Sequence, residues 1–314
     1  MLALEQITAR IRILLKNSLA DSTKLVYKRS WTMFSMAMSS INVPFRGSQD
    51  LPISVHKIML YIGFLSNRPV APATMSTYIS AIGYVHRIRG HYDPTSHPAV
   101  QKMLAATHKL NPRVDTRLPI TIIILKRLVS ALNDTVSNPY IRLLFHAMYI
   151  IAFFGLMRVG EITRAKNGVV ALYLHQVQVM PEYIVLTISH FKHNLTCKPI
   201  ELVLPAQADV DICPVRVMQR YLSVRGLHDG PLFCYVDNKP VSRDFFINGL
   251  KSALNFCGLD VSLYKSHSFR IGGASLYASL GLSDAQLRLI GRWNSDAFLR
   301  YIRCQRILLA VQKS

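Results

Sequence analysis

The chain has 314 residues, of which 50% are hydrophobic and 9% aromatic, and its 37 Lys and Arg against 17 Asp and Glu give a formal charge of +20. This length is enough for about two domains, and the apolar content excludes a mainly disordered protein. A surplus of positive charge attracts polyanions, so nucleic acid is the favoured partner and an anionic membrane surface is the alternative.

The mean hydropathy of +0.23 raises the question of a membrane protein. A spanning helix needs roughly 20 consecutive apolar residues. The longest apolar run, 143–157, is shorter, contains His146 and is flanked by Arg142 and Arg158, so we interpret it as a buried core helix. Residues 1–17 carry charges and have no clear small-residue cleavage site, which argues against a secretory signal. We expect an intracellular protein with no membrane partner, located in the nucleus if the host is eukaryotic and otherwise in the cytoplasm.

The five cysteines are widely spaced, odd in number and contain no C-x-x-C pair. Neither a disulfide framework nor a zinc knuckle is therefore predicted. The four histidines between residues 86 and 108 match no zinc-ligand spacing, and we interpret them as linker and helix-surface residues. Sequences typical of phosphate-binding loops, zinc proteases and α/β-hydrolases are missing. We expect no metal and no cofactor.

Residues 1–112 are predicted to form a small all-helical domain. Apolar residues recur there at helical spacing in four stretches bounded by capping residues, prolines or glycines. These stretches are 22–39, 54–66, 72–88 and 97–110. The polar segment 111–119 contains two prolines and is typical of an interdomain linker. We place the boundary near residue 112.

Residues 113–314 are predicted to be mostly helical with a small antiparallel sheet, which makes the fold class mainly α with a small β component (α+β). β-branched or alternating segments predict strands at 173–179, 183–189 and 199–204, with a short one at 231–236. Periodicity predicts helices at 120–132, 139–157, 214–224, 242–256, 268–280, 283–291 and 296–312. Both domains are basic, since residues 1–112 alone hold 13 Lys and Arg against four Asp and Glu. If the partner is DNA, we expect the two domains to grip the duplex together.

Three segments of the second domain combine arginine, histidine and tyrosine: GLMRVGEI at 155–162, HSFRIGGAS at 267–275 and GRWNSDAFLRYIR at 291–303. Together they resemble the motifs of the tyrosine recombinase (phage integrase-like) family. The matching positions, in chain order, are Arg158, Glu161, His267, Arg270, Trp293 and Tyr301.

Two features depart from the commonest family pattern. Trp293 stands where His is more frequent, and the seven residues between it and Tyr301 are one fewer than in many bacterial members. The third segment is similar to the subgroup found in eukaryotic mobile elements. In the first domain, the family's core-binding features are matched by Ser22, Tyr27, Trp31 and Phe34.

The resemblance implies a helical, SAM-like core-binding domain at 1–112 and a catalytic domain at 113–314. It also implies a site-specific recombinase or integrase that cuts and rejoins double-stranded DNA through a 3′-phosphotyrosine intermediate. Such enzymes work without metal or ATP, as a homotetramer on two DNA duplexes. The amphipathic C-terminal residues Ile307, Leu308 and Val311 would pack either on a neighbouring protomer or in cis, and both remain open.

The residue types suit this chemistry. Guanidinium groups hydrogen-bond nonbridging phosphate oxygens in a fixed geometry, so Arg158 and Arg270 would clamp the phosphate. Tyr301 would be the nucleophile. Because a free tyrosine has a pKa of about 10, it needs a base such as His267 and a positive field.

Three further roles follow from the resemblance. A basic residue is implied in the β-hairpin, and Lys192 at the turn is the first choice for protonating the leaving 5′-oxygen, with Lys198 as the second. Trp293 has a single N–H donor and would position rather than transfer protons. Glu161 would orient the active-site side chains.

Each of these residues has an ordinary structural explanation when taken alone, such as a helix cap, a surface charge or a core aromatic. Their joint occurrence in order across residues 158–301 favours a shared active site. Three functions stay open: a strand-exchange recombinase, a catalytically inactive recombinase-derived DNA-binding protein, and a type IB topoisomerase-like nicking-closing enzyme.

Overall fold

The structure is a computed structural model that describes residues 4–112, 115–164, 172–189 and 198–303. These residues are mainly helical and contain a three-stranded antiparallel sheet in the order β1-β2-β3. The predicted α+β class is confirmed. The chain divides into two compact units, Met1–Asp115 and Thr116–Ser314. No helix in the described ranges is long and apolar enough to cross a membrane.

The described part of the first unit contains five α-helices. They are α1 (Leu4–Asn17), α2 (Asp21–Ser40), α3 (Val55–Ser66), α4 (Pro72–Ile88) and α5 (Pro98–Leu110). Helices α2 to α5 confirm the four predicted ones to within a residue at each end, since their apolar periodicity reflects real burial. Helix α1 was not predicted, and none of its residues is buried.

The first unit has its own core. The Phe34 ring packs edge-on against Phe45 and Tyr61, with both pairs of ring centroids 5.0 Å apart. His86, predicted to be a linker or surface residue, is instead fully buried. Its Nε2 atom accepts a hydrogen bond from the Ile53 N–H at 2.9 Å and its Nδ1 atom lies 2.8 Å from the Ile82 carbonyl oxygen. Both ring nitrogens are thus satisfied by the backbone, so the side chain tolerates burial.

The described part of the second unit contains seven α-helices around a small sheet. The helices are α6 (Ile122–Thr135), α7 (Pro139–Phe154), α8 (Val159–Ile162), α9 (Pro214–Arg225), α10 (Arg243–Phe256), α11 (His267–Ser279) and α12 (Asp284–Gly291). The strands are β1 (Val177–Val179), β2 (Tyr183–Ile188) and β3 (Ile200–Pro205), and β2 pairs antiparallel with both neighbours.

Some predicted elements of this unit are wrong in extent or type. The first strand begins only at Val177, because Leu174–Gln176 is a 3-10 turn in which the Gln176 side chain accepts the Tyr173 N–H at 2.8 Å. Residues 231–236 make only isolated bridges, at Pro231 and Cys234. Prolines lack the N–H that a continuous ladder needs.

The last predicted helix, 296–312, is also different. It begins as a 3-10 helix at Asp296–Tyr301, and residues 304–314, including Ile307, Leu308 and Val311, lie outside the described residues. The predicted helix 139–157 ends earlier, at Phe154, because the chain turns through Gly155 and Leu156, where Leu156 has a φ of 45°. That turn places Arg158 at the start of α8 rather than at the end of α7.

Close backbone contacts bring α11 against α7 and the chain before α6. A Cβ atom on Gly272 would lie 1.7 Å from the Ile120 carbonyl oxygen, and one on Gly273 would lie 2.3 Å from that of Phe153. Only glycine permits such an approach. The two glycines therefore set the second motif beside the turn that carries the first.

Candidate active site

The predicted site residues lie on four segments of the second unit. Arg158 is the N-cap of α8 and Glu161 lies within that helix. His267 and Arg270 belong to the first turn of α11, and Trp293 follows α12. Tyr301 ends the 3-10 helix Asp296–Tyr301. Contacts between these segments join all six side chains in one cluster, although they are up to 143 positions apart in the chain.

The centre of the cluster is the pair His267 and Tyr301. The Nε2 atom of His267 lies 3.0 Å from the hydroxyl oxygen of Tyr301, and their ring centroids are 5.6 Å apart. Both residues are half-buried. At this distance a neutral imidazole nitrogen can accept the phenol proton, which is the geometry that a general base requires.

Arg270 lies one helical turn after His267 and is fully buried. Its terminal nitrogens donate to the carbonyl oxygens of Leu156 and Gly291. Its Nε atom has no hydrogen-bond partner within the described residues. Burial is the main cause that lowers the pKa of Arg270, and repulsion from Arg158 and Arg292 lowers it further, to about 9. The guanidinium is therefore still protonated at neutral pH.

Trp293 covers the buried guanidinium. The guanidinium carbon of Arg270 lies 4.2 Å from the centroid of the Trp293 ring and 5.5 Å from that of Tyr301. The Trp293 and Tyr301 ring centroids are 5.1 Å apart. The indole Nε1 atom is buried and has no hydrogen-bond partner among the described parts of the chain.

Arg158 is the most accessible arginine of the cluster, with 19% of its side chain exposed. Its Nη1 atom donates to Glu161 Oε1 at 2.8 Å, and its backbone N–H donates to Glu161 Oε2 at 2.9 Å. Burial would raise the pKa of Glu161, but attraction to Arg292 and Arg158 outweighs it and holds that pKa below its ordinary value. Glu161 is therefore an ionised carboxylate that holds Arg158 at two points.

Arg292 is a site residue that sequence reasoning missed. Its backbone is left-handed, with φ 55° and ψ 48°, and its Nη2 atom donates to Glu161 Oε2 at 2.7 Å. The side chain is completely buried. Its position next to Trp293 in the third motif was visible in the sequence, but no periodic signal indicates that a residue following a helix turns inward.

Two lysines were candidates for the proton donor. Lys192 lies outside the described residues, and Lys198 is exposed just before β3. Within the described ranges, no three His, Cys, Asp or Glu side chains are grouped so that they could hold a metal ion.

No family model matches the chain. It is 23% identical over 309 residues to the integrase/recombinase XerD homolog of Selenomonas ruminantium, and the match covers 95% of this chain and 86% of that protein. A lambda integrase tetramer bound to a Holliday junction has a TM-score of 0.61 at 16% identity, covering 98% of this chain and 80% of that one. The Tn1549 transposon integrase in complex with circular intermediate DNA has a TM-score of 0.63 at 12% identity, covering 96% and 95%.

These proteins are integrases and recombinases, and the chain shares their fold. A third structure, the XerH site-specific recombinase bound to palindromic difH substrate, has a TM-score of 0.58 at 14% identity, covering 87% of this chain and 72% of that one. The fold is the two-domain fold of lambda integrase. In this fold the three sequence motifs meet in one cluster.

Proposed function

We propose that this chain is a site-specific DNA recombinase or integrase that cuts and rejoins double-stranded DNA through a 3′-phosphotyrosine at Tyr301. The observation that carries the proposal is the 3.0 Å contact between His267 Nε2 and the Tyr301 hydroxyl oxygen, inside a cluster of arginines. The net charge of +20 supports a polyanionic substrate. The likeness to recombinases solved with DNA supports the same substrate.

In the cleavage step, the Tyr301 oxygen attacks the scissile phosphorus and its proton passes to His267 Nε2. The bond from phosphorus to the 5′-oxygen breaks, and that oxygen takes a proton, for which Lys192 remains the proposed donor. Religation is the reverse, with an incoming 5′-hydroxyl attacking the phosphotyrosine. One phosphoester replaces another at each step, so no external energy source is required.

The arginines stabilise the charge that spreads over the nonbridging oxygens in the transition state. Arg158 is the accessible one and would hydrogen-bond these oxygens directly. Arg270 donates both terminal nitrogens to carbonyl oxygens, so in this arrangement it contributes mainly its positive charge. The unpartnered Trp293 Nε1 supplies a further donor.

Strand exchange needs two duplexes, and we propose that four copies act on them together. The Holliday-junction tetramer of lambda integrase supports this stoichiometry. The segment GRWNSDAFLRYIR supports a place in the subgroup found in eukaryotic mobile elements, and the Tn1549 transposon integrase supports the link with mobile DNA.

The test uses trapped covalent adducts, because the target sequence is unknown. The full chain is incubated with a library of duplexes that carry a randomised segment and a nick, so that the short fragment bearing the released 5′-hydroxyl diffuses away and religation fails. Adducts are isolated under denaturing conditions and the attached DNA ends are sequenced. Tyr301→Phe, which removes only the hydroxyl oxygen, is the matched control.

We expect adducts with a shared sequence in the wild type and none with Tyr301→Phe. Equal adducts in both proteins would remove Tyr301 as the nucleophile. DNA binding without any wild-type adduct would favour the non-catalytic binding protein. Relaxation of supercoiled plasmid without exchange between two duplexes would favour the nicking-closing enzyme.

A further inference from the structure

Glu161 lies between two guanidinium groups that face it from different segments. Its Oε1 atom accepts from Arg158 Nη1 at 2.8 Å, and its Oε2 atom accepts from Arg292 Nη2 at 2.7 Å. The carboxylate is 5% exposed and the Arg292 side chain 0%. A buried carboxylate and a buried arginine thus form an ion pair directly behind the accessible Arg158.

The charge balance of this cluster matters for phosphate binding. With Arg158 alone, the Glu161 carboxylate would cancel the positive charge that faces the phosphate. A low dielectric strengthens this cancellation, because buried charges are poorly screened. Arg292 supplies a second cation for the same carboxylate. Glu161 can therefore hold Arg158 while the three residues Arg158, Glu161 and Arg292 together keep a net positive charge.

Arg292 also fixes the turn that carries the rest of the site. Its Nη2 atom donates to the Leu156 carbonyl oxygen at 3.0 Å, which also accepts from Arg270. Its Nη1 atom donates to the Ile290 carbonyl oxygen at 2.8 Å. The residue therefore ties the end of α12, next to Trp293, to the turn before Arg158.

We propose that Arg292 is a positioning residue that holds Glu161 and neutralises its charge, which leaves Arg158 oriented and positively charged for the scissile phosphate. This inference rests on the proposed function for its catalytic consequence. The pairing of Arg292 with Glu161 is itself measurable without any reaction.

A purely structural arginine gives the contrast. Arg225 is also buried in this unit, at 4% exposure. Its guanidinium donates to the carbonyl oxygens of Gly226, His228, Pro231 and Leu232, and within the described residues no carboxylate pairs with it. Arg225→Gln is therefore the matched control for losing a buried guanidinium without losing the charge partner of Glu161.

The first test measures single-turnover formation of the covalent adduct in Arg292→Gln, Arg292→Lys, Glu161→Gln and the double variant Arg292→Gln/Glu161→Gln. Arg292→Gln is expected to lose roughly 10- to 100-fold in rate, the size seen when a group that orients a functional side chain is removed. Arg292→Lys keeps the charge and is expected to lose less. The double variant is expected to be about tenfold faster than Arg292→Gln, as coupling between contacting residues allows.

The double variant is the decisive comparison. It removes both charges, so the positive charge of Arg158 is no longer cancelled by the Glu161 carboxylate. A double variant no faster than Arg292→Gln would overturn the proposal, because lost carbonyl contacts would then explain the whole effect. Adding Glu161→Gln to Arg225→Gln is expected to give no recovery.

Folding provides a second readout. In Arg292→Gln the buried Glu161 carboxylate loses one of its two guanidinium partners and keeps only Arg158. Breaking a buried ion pair on one side is more destabilising than removing both partners, so the double variant should unfold at higher urea than Arg292→Gln. If Arg292→Gln fails to fold, a folded double variant supports the charge pairing, and two unfolded variants overturn it.

The third readout is independent of catalysis. Carbon-detected NMR of protein labelled at the glutamate carboxyl carbon follows the titration of Glu161, and the missing signal in Glu161→Gln assigns it. Arg292→Gln, or Arg292→Lys if it alone folds, is compared with wild type. We expect the pKa of Glu161 to rise in Arg292→Gln and to stay near the wild-type value in Arg292→Lys.

An unchanged pKa of Glu161 in Arg292→Gln, or a pKa raised equally by Arg292→Lys, would overturn the pairing. If the wild-type protein forms no adduct but the pKa of Glu161 still rises in Arg292→Gln, the proposed function is wrong and the pairing of Arg292 with Glu161 stands. The two failures are thus distinguishable.

Discussion

The side-chain hydroxyl of Ser275 on α11 donates a hydrogen bond of 3.2 Å to the backbone carbonyl oxygen of Tyr301. The same hydroxyl oxygen accepts the backbone N–H of Arg303 at 2.9 Å. His267 begins the same helix about two turns earlier. One helix therefore carries both the base candidate and the anchor of the segment that bears the nucleophile.

Ser275→Ala should release this segment without removing a group from the proposed chemistry. We expect adduct formation to slow by about tenfold, since a small misplacement of a reacting group is costly, while affinity for DNA stays within about twofold because no phosphate contact is lost. Single-turnover cleavage and equilibrium binding measure the two effects. Ser279→Ala is the control, because among the described residues that hydroxyl bonds only to the Leu276 carbonyl oxygen in its own helix. Equal rates for the two variants would contradict the anchoring role.

His267→Gln should lower the rate of adduct formation by about 10²- to 10⁴-fold, the usual contribution of a positioned general base. Glutamine keeps a polar group near the Tyr301 hydroxyl but accepts no proton. The measurement is single-turnover cleavage at neutral pH with saturating protein, so that weaker binding is not mistaken for slower chemistry. A loss below about threefold would show that the 3.0 Å contact with Tyr301 is only structural.

Glu161→Gln should change how stability depends on pH. The pKa of the Glu161 carboxyl is lowered in the folded protein, so its stabilising contribution is present above the unfolded-state pKa of about 4.3. That contribution is lost as pH falls through the lower folded-state pKa. Urea unfolding from pH 7 to pH 3 should therefore show a difference between wild type and Glu161→Gln that shrinks below about pH 4.3. A difference that grows on acidification would contradict the sign.

Gly272→Ala should destabilise the second unit. The added Cβ atom would lie 1.7 Å from the Ile120 carbonyl oxygen, so α11 must shift, and overpacking of this kind costs about 1–3 kcal/mol. Gly63→Ala in α3 is the control, because among the described residues no atom outside its own stretch of helix lies within 4 Å of an added Cβ, and alanine favours a helix by about 0.5–1 kcal/mol. Chemical denaturation of both variants measures the contrast. A neutral Gly272→Ala would show that the backbone contact is not tight.

The sequence predicted those features that are carried by local periodicity. Helices α2 to α5 and the strands around Tyr183–Ile188 were found because burial on one face imposes a repeat of about 3.6 or 2 residues. The motif residues were found by their types and order. Helix α1 was not predicted, and none of its residues is buried. The element at Asp296–Tyr301 was assigned the wrong helix type because short 3-10 and α segments share much of their spacing.

By itself the sequence determined the α+β class, the basic charge and the set of residue types that the site uses. Tertiary structure alone decided that Arg270 is fully buried, that Arg292 turns inward to Glu161 and that Ser275 anchors Tyr301. These contacts join positions separated by 26 to 131 residues. Long-range pairing depends on how helices approach one another, as the close contact of Gly272 with Ile120 illustrates, and a one-dimensional pattern does not record that approach.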